Sequence, residues 1–213
     1  MPYEHLLFLG RFVRNPARVG AILPSSARLA RGMVEGIKPP SGVRVAELGA
    51  GTGRITAEIA RWLPDDGLAL AIDVDPAFIG QLAGRWPRVE AVAATAEHLF
   101  ELARARGIDG FDHIFSGLPF ASLPAETTRR ILYAVSRSLR EGGTFTTFQY
   151  LHAWHFPSAM SFRRTASRRL GTEPGSRFIG ANVPPAVVLR WRKSTEEPAA
   201  ASPGDRVEIE RPH

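Results

Sequence analysis

Two carboxylates and three glycines carry the chemistry written most plainly into this chain. In Val-Ala-Glu-Leu-Gly-Ala-Gly-Thr-Gly-Arg-Ile-Thr-Ala-Glu-Ile (45–59), Glu47, Gly49, Gly51 and Gly53 fall at alternate positions, between a short apolar run and a helical pattern. This reads as a strand turning tightly into a helix, with backbone free of Cβ atoms where a ligand must come close. A phosphate-binding loop would carry Lys followed by Ser or Thr, where this one has Gly53 and Arg54. The dinucleotide fingerprint spaces its glycines differently and holds no acid within the loop. Twenty residues beyond Gly53, the buried-strand run Leu68-Ala-Leu-Ala-Ile-Asp73 ends in a second carboxylate. An acid there accepts both hydroxyls of a ribose as a bidentate pair. Asp75 precedes Pro76 and is the better candidate for capping the helix that starts there.

The elements that must hold these groups alternate regularly. Strands are expected near 43–49, 68–73, 89–94, 112–116 and 143–149, with helices near 53–63, 76–86, 95–106 and 124–140. That alternation implies a parallel sheet with helices on both faces, in one α/β domain. A further helix runs from Pro157 to about Leu170. Two strands, 177–183 and 186–193, then form a final hairpin across Pro184 and Pro185. The 213 residues suffice for one full core. Three regions are expected: a lid segment over 1–40, the ligand-binding domain over 41–193, and a disordered tail over 194–213 rich in Ala, Pro, Glu and Ser. The absence of cysteine excludes disulfides and thiolate metal sites, and the six histidines show no ligand spacing, so no metal is assigned. No long apolar run, secretory signal or internal repeat is visible.

The pattern Glu47-x-Gly49-x-Gly51-x-Gly53 resembles the first motif of the class I S-adenosylmethionine-dependent methyltransferases. The resemblance implies a Rossmann-like, seven-stranded, mostly parallel sheet whose last strand is antiparallel. It also implies S-adenosyl-L-methionine as cofactor, with S-adenosyl-L-homocysteine as product. Glu47 then meets the cationic amino-acid end of the cofactor, the loop of Gly49, Ala50, Gly51, Thr52 and Gly53 passes beneath it, and Asp73 and Val74 meet the ribose. The third strand leads into Thr95 and Ala96, which the family places against the adenine; Thr95 stands where Asp is usual. Ser116 and Gly117, ending the fourth strand, complete the cofactor contacts.

Charge is segregated along the chain. Residues 1–40 carry six basic and two acidic groups, 41–149 eleven and thirteen, 150–193 eight and one, and 194–213 two and five, for the overall +6. Arg163, Arg164, Arg168 and Arg169 fall broadly on one side of the helix after Pro157. An excess of Arg over Lys explains the residue type but not the segregation, so a polyanionic partner is expected, nucleic acid or an anionic bilayer. The first fifteen residues bear on that choice. As a helix they gather Glu4, Arg11, Arg14 and Asn15 in one sector and spread Leu6, Phe8, Leu9, Phe12 and Val13 over the wider opposite face. Such a helix spans only ~21 Å, too short for a ~30 Å hydrocarbon core. It suits either the headgroup region of a bilayer or the covering of one side of the cofactor pocket. Ser25 or Ser26 caps the next helix, along which Leu29, Met33 and Ile37 share a face. The N-terminus of that helix is also suited to receive a substrate anion.

The fourth strand runs into Ser116-Gly117-Leu118-Pro119-Phe120. Adenine methyltransferases of RNA and DNA carry Asn or Asp where Gly117 stands and an aromatic where Phe120 stands. Gly117 offers no side chain to the amino group of a flipped base. This run, with Phe8-Leu-Gly-Arg-Phe-Val-Arg-Asn-Pro16, Gly20-Ala-Ile-Leu-Pro-Ser-Ser26 and Asn182-Val-Pro-Pro-Ala186, resembles bacterial phospholipid N-methyltransferases. The resemblance implies stepwise methylation of the headgroup amine of phosphatidylethanolamine towards phosphatidylcholine. It places the enzyme in the cytoplasm, peripheral on the inner face of the cytoplasmic membrane, with phospholipid as partner and no nucleic acid. Ser25, Ser26, Leu118, Pro119, Phe120 and Tyr150 are the expected substrate contacts. Tyr150, ending the fifth strand, is the candidate for positioning the amine, with His152 and His98 as candidate proton acceptors. Leu6, Phe8, Leu9, Arg11, Phe12, Arg14, Arg163 and Arg164 are the candidate membrane contacts. An ornithine-lipid headgroup presents a similar primary amine, and an rRNA adenine N6-methyltransferase or a non-catalytic binding module are the other readings.

Overall fold

The computed structural model describes residues 26–180 and 182–195. Seven strands form one sheet: β1 (Arg44–Leu48), β2 (Leu68–Asp73), β3 (Val89–Ala93), β4 (Phe111–Ser116), β5 (Leu139–Tyr150), β6 (Gly175–Ile179) and β7 (Ala186–Arg192), in the order β3-β2-β1-β4-β5-β7-β6. The first five pair in parallel, and β7 runs antiparallel to both β5 and β6. The expected Rossmann-like architecture, with its antiparallel last strand, is the one observed.

Side chains alternate between two cores, as the period of a strand requires. Ala46, Leu48, Leu70, Ile72, Ile114 and Phe145 face one of them. Helices α4 (Leu99–Arg104), α5 (Ala125–Ser138) and α6 (Pro157–Leu170) cover that side. Val45, Ala69, Ala71 and Phe115 face the other, beneath α1 (Ala27–Val34), α2 (Arg54–Trp62) and α3 (Pro76–Leu82). Burial on both faces explains why the central strands read as unbroken apolar runs. Glu47, lying between Ala46 and Leu48, therefore points to the α2 side.

Several boundaries differ from expectation for local reasons. Helix α3 stops at Leu82, because Ala83 is extended and Gly84 takes φ 70°, so the stretch to residue 86 is not helical. The helix expected over 95–106 opens as a 3₁₀ turn (Ala96–His98) before α4. Strand β6 lies earlier than 177–183: it ends at Ile179, opposite Ala186, and Asn182 buries its side chain in the connection, where Nδ2 donates to the Pro184 carbonyl.

An aromatic cluster holds α6 to the sheet. Phe120 stacks on Phe162 with centroids 4.2 Å apart, Phe145 meets Phe120 edge-on at 6.3 Å, and Trp191 lies against both Phe145 and Phe162. Trp191 donates its indole N–H to Ser167 Oγ at 3.0 Å, so its one polar atom is satisfied. Phe120→Ala is expected to lower stability by about 3–5 kcal/mol, measured by urea unfolding.

Candidate functional site

The loop between β1 and α2 leaves the C-terminal edge of the sheet at the point where the strand order reverses, with β2 on one side and β4 on the other. Open α/β sheets bind ligands there. Gly49 and Ala50 donate their N–H groups to the Ile72 carbonyl at 2.8 and 3.1 Å, and Gly53 N–H donates to the Ala50 carbonyl. Gly51 takes φ 50°, and a Cβ there would meet nothing within 4 Å, so the backbone is bare towards open space. Gly117 is glycine for another reason: a Cβ would come 2.9 Å from the Gly49 carbonyl oxygen. The strand end presses on the glycine loop itself.

Asp73 fixes that loop from the neighbouring strand. Its Oδ2 accepts the Gly51 N–H at 2.8 Å and its Oδ1 the Asp75 N–H at 2.9 Å. Each oxygen keeps a further acceptor position, so the same carboxylate can order the loop and take ribose hydroxyls. Burial pushes its pKa up, and the two amides oppose the rise. Asp75 caps α3 as expected, accepting the Ala77 N–H at 2.9 Å ahead of Pro76.

Glu47 is 1% exposed, and neither carboxylate oxygen has a hydrogen-bond partner among the described residues. Burial raises its pKa to about 8, with the Asp73 charge adding to the rise and Thr56 opposing it. The Thr56 hydroxyl is itself buried without a partner at hydrogen-bonding geometry, so its pull is weaker than a formed bond would give. A dry, uncompensated carboxylate requires a cation or a proton. The ammonium of S-adenosylmethionine is such a cation, and Asp73 lies one strand away to take the ribose. The residues therefore fit this cofactor. Thr56 was not apparent as a site residue in the sequence; its place in the first turn of α2, straight after the glycine loop, is the signal that points to it.

The other expected positions separate into groups. Ser116 is buried, with its Oγ accepting the Leu118 N–H and its carbonyl accepting the Thr147 hydroxyl. Leu118 rests on Gly49, and Pro119 is half-buried beside it. Thr95 Oγ1 accepts the Glu97 N–H at 3.4 Å and caps the 3₁₀ turn, Ala96 is buried, Val74 is half-buried and Thr52 is exposed. Phe120 does not face the cleft. At 3% exposure it belongs to the α6 core, which corrects its expected substrate contact: the backbone turn at Pro119 aims it inward. Ser26 is committed as the cap of α1, accepting the Leu29 N–H at 3.1 Å. Tyr150 ends β5 half-buried, edge-on to Phe148 and stacked on the exposed His152 with centroids 5.7 Å apart. Burial pushes its phenol pKa up, which keeps the hydroxyl protonated. His98 is exposed beyond Thr95. Ser25, Leu6, Phe8, Leu9, Arg11, Phe12 and Arg14 lie outside the described residues. Arg163 donates to Gln149 Oε1 at 2.6 Å and lies 4.1 Å over the Trp154 ring, while Arg164 is exposed.

A family model described as a methyltransferase domain matches residues 45–143. An ornithine lipid N-methyltransferase from Singulisphaera acidiphila is 34% identical over 145 residues, covering 67% of this chain and 76% of that protein. Among solved structures, a 1,6-didemethyltoxoflavin-N1-methyltransferase from Burkholderia thailandensis, holding S-adenosylhomocysteine, superposes with a TM-score of 0.66 at 21% identity, covering 90% of this chain and 89% of its own. Fibrillarin from Aeropyrum pernix, with bound S-adenosylmethionine, gives a TM-score of 0.61 at 14% identity over 78% and 72%. At those identities the two structures speak for the fold.

Two consequences of the Glu47 environment are measurable. Its folded pKa of about 8 lies above the ordinary glutamate value of 4.5. The folded state therefore holds a proton that the unfolded chain has lost, and its stabilising effect, complete below about pH 4.5, disappears as pH rises through about 8. Glu47→Gln is expected to remove that decline from thermal melts of the cofactor-free protein. In calorimetry the same change is expected to weaken S-adenosylmethionine binding about tenfold or more, the worth of a hydrogen bond to a charged group. The glycine loop, the two strand-end carboxylates, the matching relative and the shared fold lead to one assignment: the chain belongs to the class I S-adenosylmethionine-dependent methyltransferases.

Proposed function

We propose that this enzyme methylates the primary amine of a membrane lipid headgroup, with an ornithine-type lipid as the favoured acceptor. The observation that carries this reading is the 34% identity, over two thirds of the chain, to a protein named for methylating ornithine lipid. The site supports it. An aliphatic amine needs no groups to orient a ring, and position 117 has no room for a base-binding side chain, since a Cβ there would come 2.9 Å from the Gly49 carbonyl oxygen. That lack weighs against an rRNA adenine. Phosphatidylethanolamine presents a similar primary amine, and the Ser116-Gly117-Leu118-Pro119-Phe120 run keeps it as the second reading.

The bound cofactor supplies an electrophilic methyl group on a sulfonium. The chain's own residues supply position and dryness. Glu47 and Asp73 hold the two ends of the cofactor, which fixes the methyl group relative to the strand edge. The incoming amine must be neutral, and releasing its proton at pH 7 from a pKa of ~10 costs roughly 4 kcal/mol. An apolar surround lowers that cost. Tyr150 supplies a neutral hydroxyl at the end of β5, able to accept from the ammonium or donate to the amine, with exposed His152 beside it to pass a proton outward. Methylation of the neutral amine would release one proton overall, the one the ammonium gives up beforehand, and exposed His152 is placed to carry it to solvent.

The membrane setting belongs to the same proposal. Residues 2–15, outside the described residues, are the proposed bilayer contact, at the inner face of the cytoplasmic membrane. No helix among the described residues is long and apolar enough to cross a membrane.

Vesicles containing ornithine lipid are expected to accept labelled methyl groups from S-adenosylmethionine, resolved by thin-layer chromatography, more readily than vesicles containing phosphatidylethanolamine. Purified rRNA is expected to stay unlabelled, and the opposite pattern overturns the lipid assignment. Tyr150→Phe is expected to lower kcat/KM for the lipid about 10- to 100-fold, with calorimetric affinity for the cofactor unchanged.

A further inference from the structure

Away from the cofactor cleft, a groove of about 850 Å³ runs between α6 and the outer strands, with Met160, Arg164 and Arg168 on one wall and Ser176 and Leu189 on the floor. Its size lies within the range of ligand sites. Met160, Arg164 and Arg168 recur every four residues, so they stack on one face of α6. Arg163 also lines the groove, held over Trp154 and bonded to Gln149. Among the described residues lining the groove there are three arginines and one carboxylate, Glu173, which accepts from the Ser167 hydroxyl at 3.2 Å.

The upper end of this groove is apolar and open. Gln149, Val187 and Phe178 share one register row across β5, β7 and β6, and Gln149 reaches α6 through Arg163 and the Ala159 carbonyl. Phe178 therefore projects on the α6 side, two residues along β6 from Ser176, and is 60% exposed. Seven large apolar side chains are exposed among the described residues, and five of them, Leu151, Phe156, Met160, Phe178 and Val183, lie at this edge of the sheet. It is the edge at which β5 ends in Tyr150, so it faces the same way as the cofactor loop. Exposed apolar side chains above a cationic wall match an amphiphile with a negative head.

We propose that the groove between α6 and β6 is a second lipid site, which seats an anionic bilayer phospholipid with its phosphate at Arg164 and Arg168 and its chains towards Met160 and Phe178. The choice of a bilayer lipid as occupant rests on the lipid-amine reading of the active site. Occupied, the groove turns the C-terminal edge of the sheet towards the membrane and brings Tyr150 to headgroup level.

The test is co-sedimentation of the full chain with phosphatidylcholine vesicles, with and without phosphatidylglycerol. The wild type is expected to bind the anionic vesicles more tightly. The double change Arg164→Glu and Arg168→Glu is expected to reduce that binding about tenfold, and Met160→Ser with Phe178→Ser to reduce it on both vesicle types. All four side chains are exposed, and unchanged calorimetric affinity for S-adenosylmethionine shows that each variant is folded. Equal binding by wild type and the charge-reversed variant overturns the proposal, as does wild-type binding that ignores phosphatidylglycerol or fails on every vesicle. Failure of lipid labelling with the groove results intact removes the acceptor assignment and leaves the groove standing; labelled lipid with no effect of the arginine changes does the reverse.

Discussion

A carboxyl group shut away from water, with no hydrogen-bond partner among the described residues, sets the terms for this fold. Glu47 stands one residue before the end of β1, 1% exposed, its oxygens unpartnered among the described residues. The sheet is built as if a positive charge were one of its components. Around that position every other feature of the cleft follows as support. Bare backbone at Gly51 leaves room for the ligand, Asp73 pins the loop by its amides, and Gly117 lets the fourth strand close against the loop. In a site excluded from water, such fixed groups act more strongly than they would in solvent.

Asp73 shows how binding and architecture are shared by single groups. One of its oxygens orders the glycine loop and the other orders the chain leading into α3. Removing it would loosen the cradle as well as lose a contact, so its effects on affinity and on stability are not separable by one substitution. Thr147 has a related role, its hydroxyl joining β5 to the Ser116 carbonyl beneath the Gly117 turn.

The cofactor half of the molecule was legible in the sequence because its constraints are local. Alternating glycines after an acid, and an acid ending the next strand, need only the residues on either side, and the structure places them as spacing predicts. The fold was legible for the same reason, strand and helix periods being short. The acceptor half depends on contacts distant in sequence. Phe120 looked like a substrate aromatic because nothing near it shows that Phe162, from a helix after the next strand, stacks on it. Gly117 was read correctly as lacking a side chain, yet the reason, the Gly49 carbonyl, comes from another loop. The arginines of α6 were visible as a cluster, but their division between Arg163, bonded to Gln149, and the outward Arg164 needed the sheet.

The two carboxylates proposed as anchors, Glu47 and Asp73, would touch only portions of the donor that survive the reaction. The amino-acid terminus and the sugar are identical before and after the methyl group departs, so on the proposed reading Glu47 and Asp73 would grip spent and fresh molecules alike. Discrimination would then fall to the small region around sulfur, and S-adenosylhomocysteine, keeping both gripped ends, would compete with the donor for the same cradle.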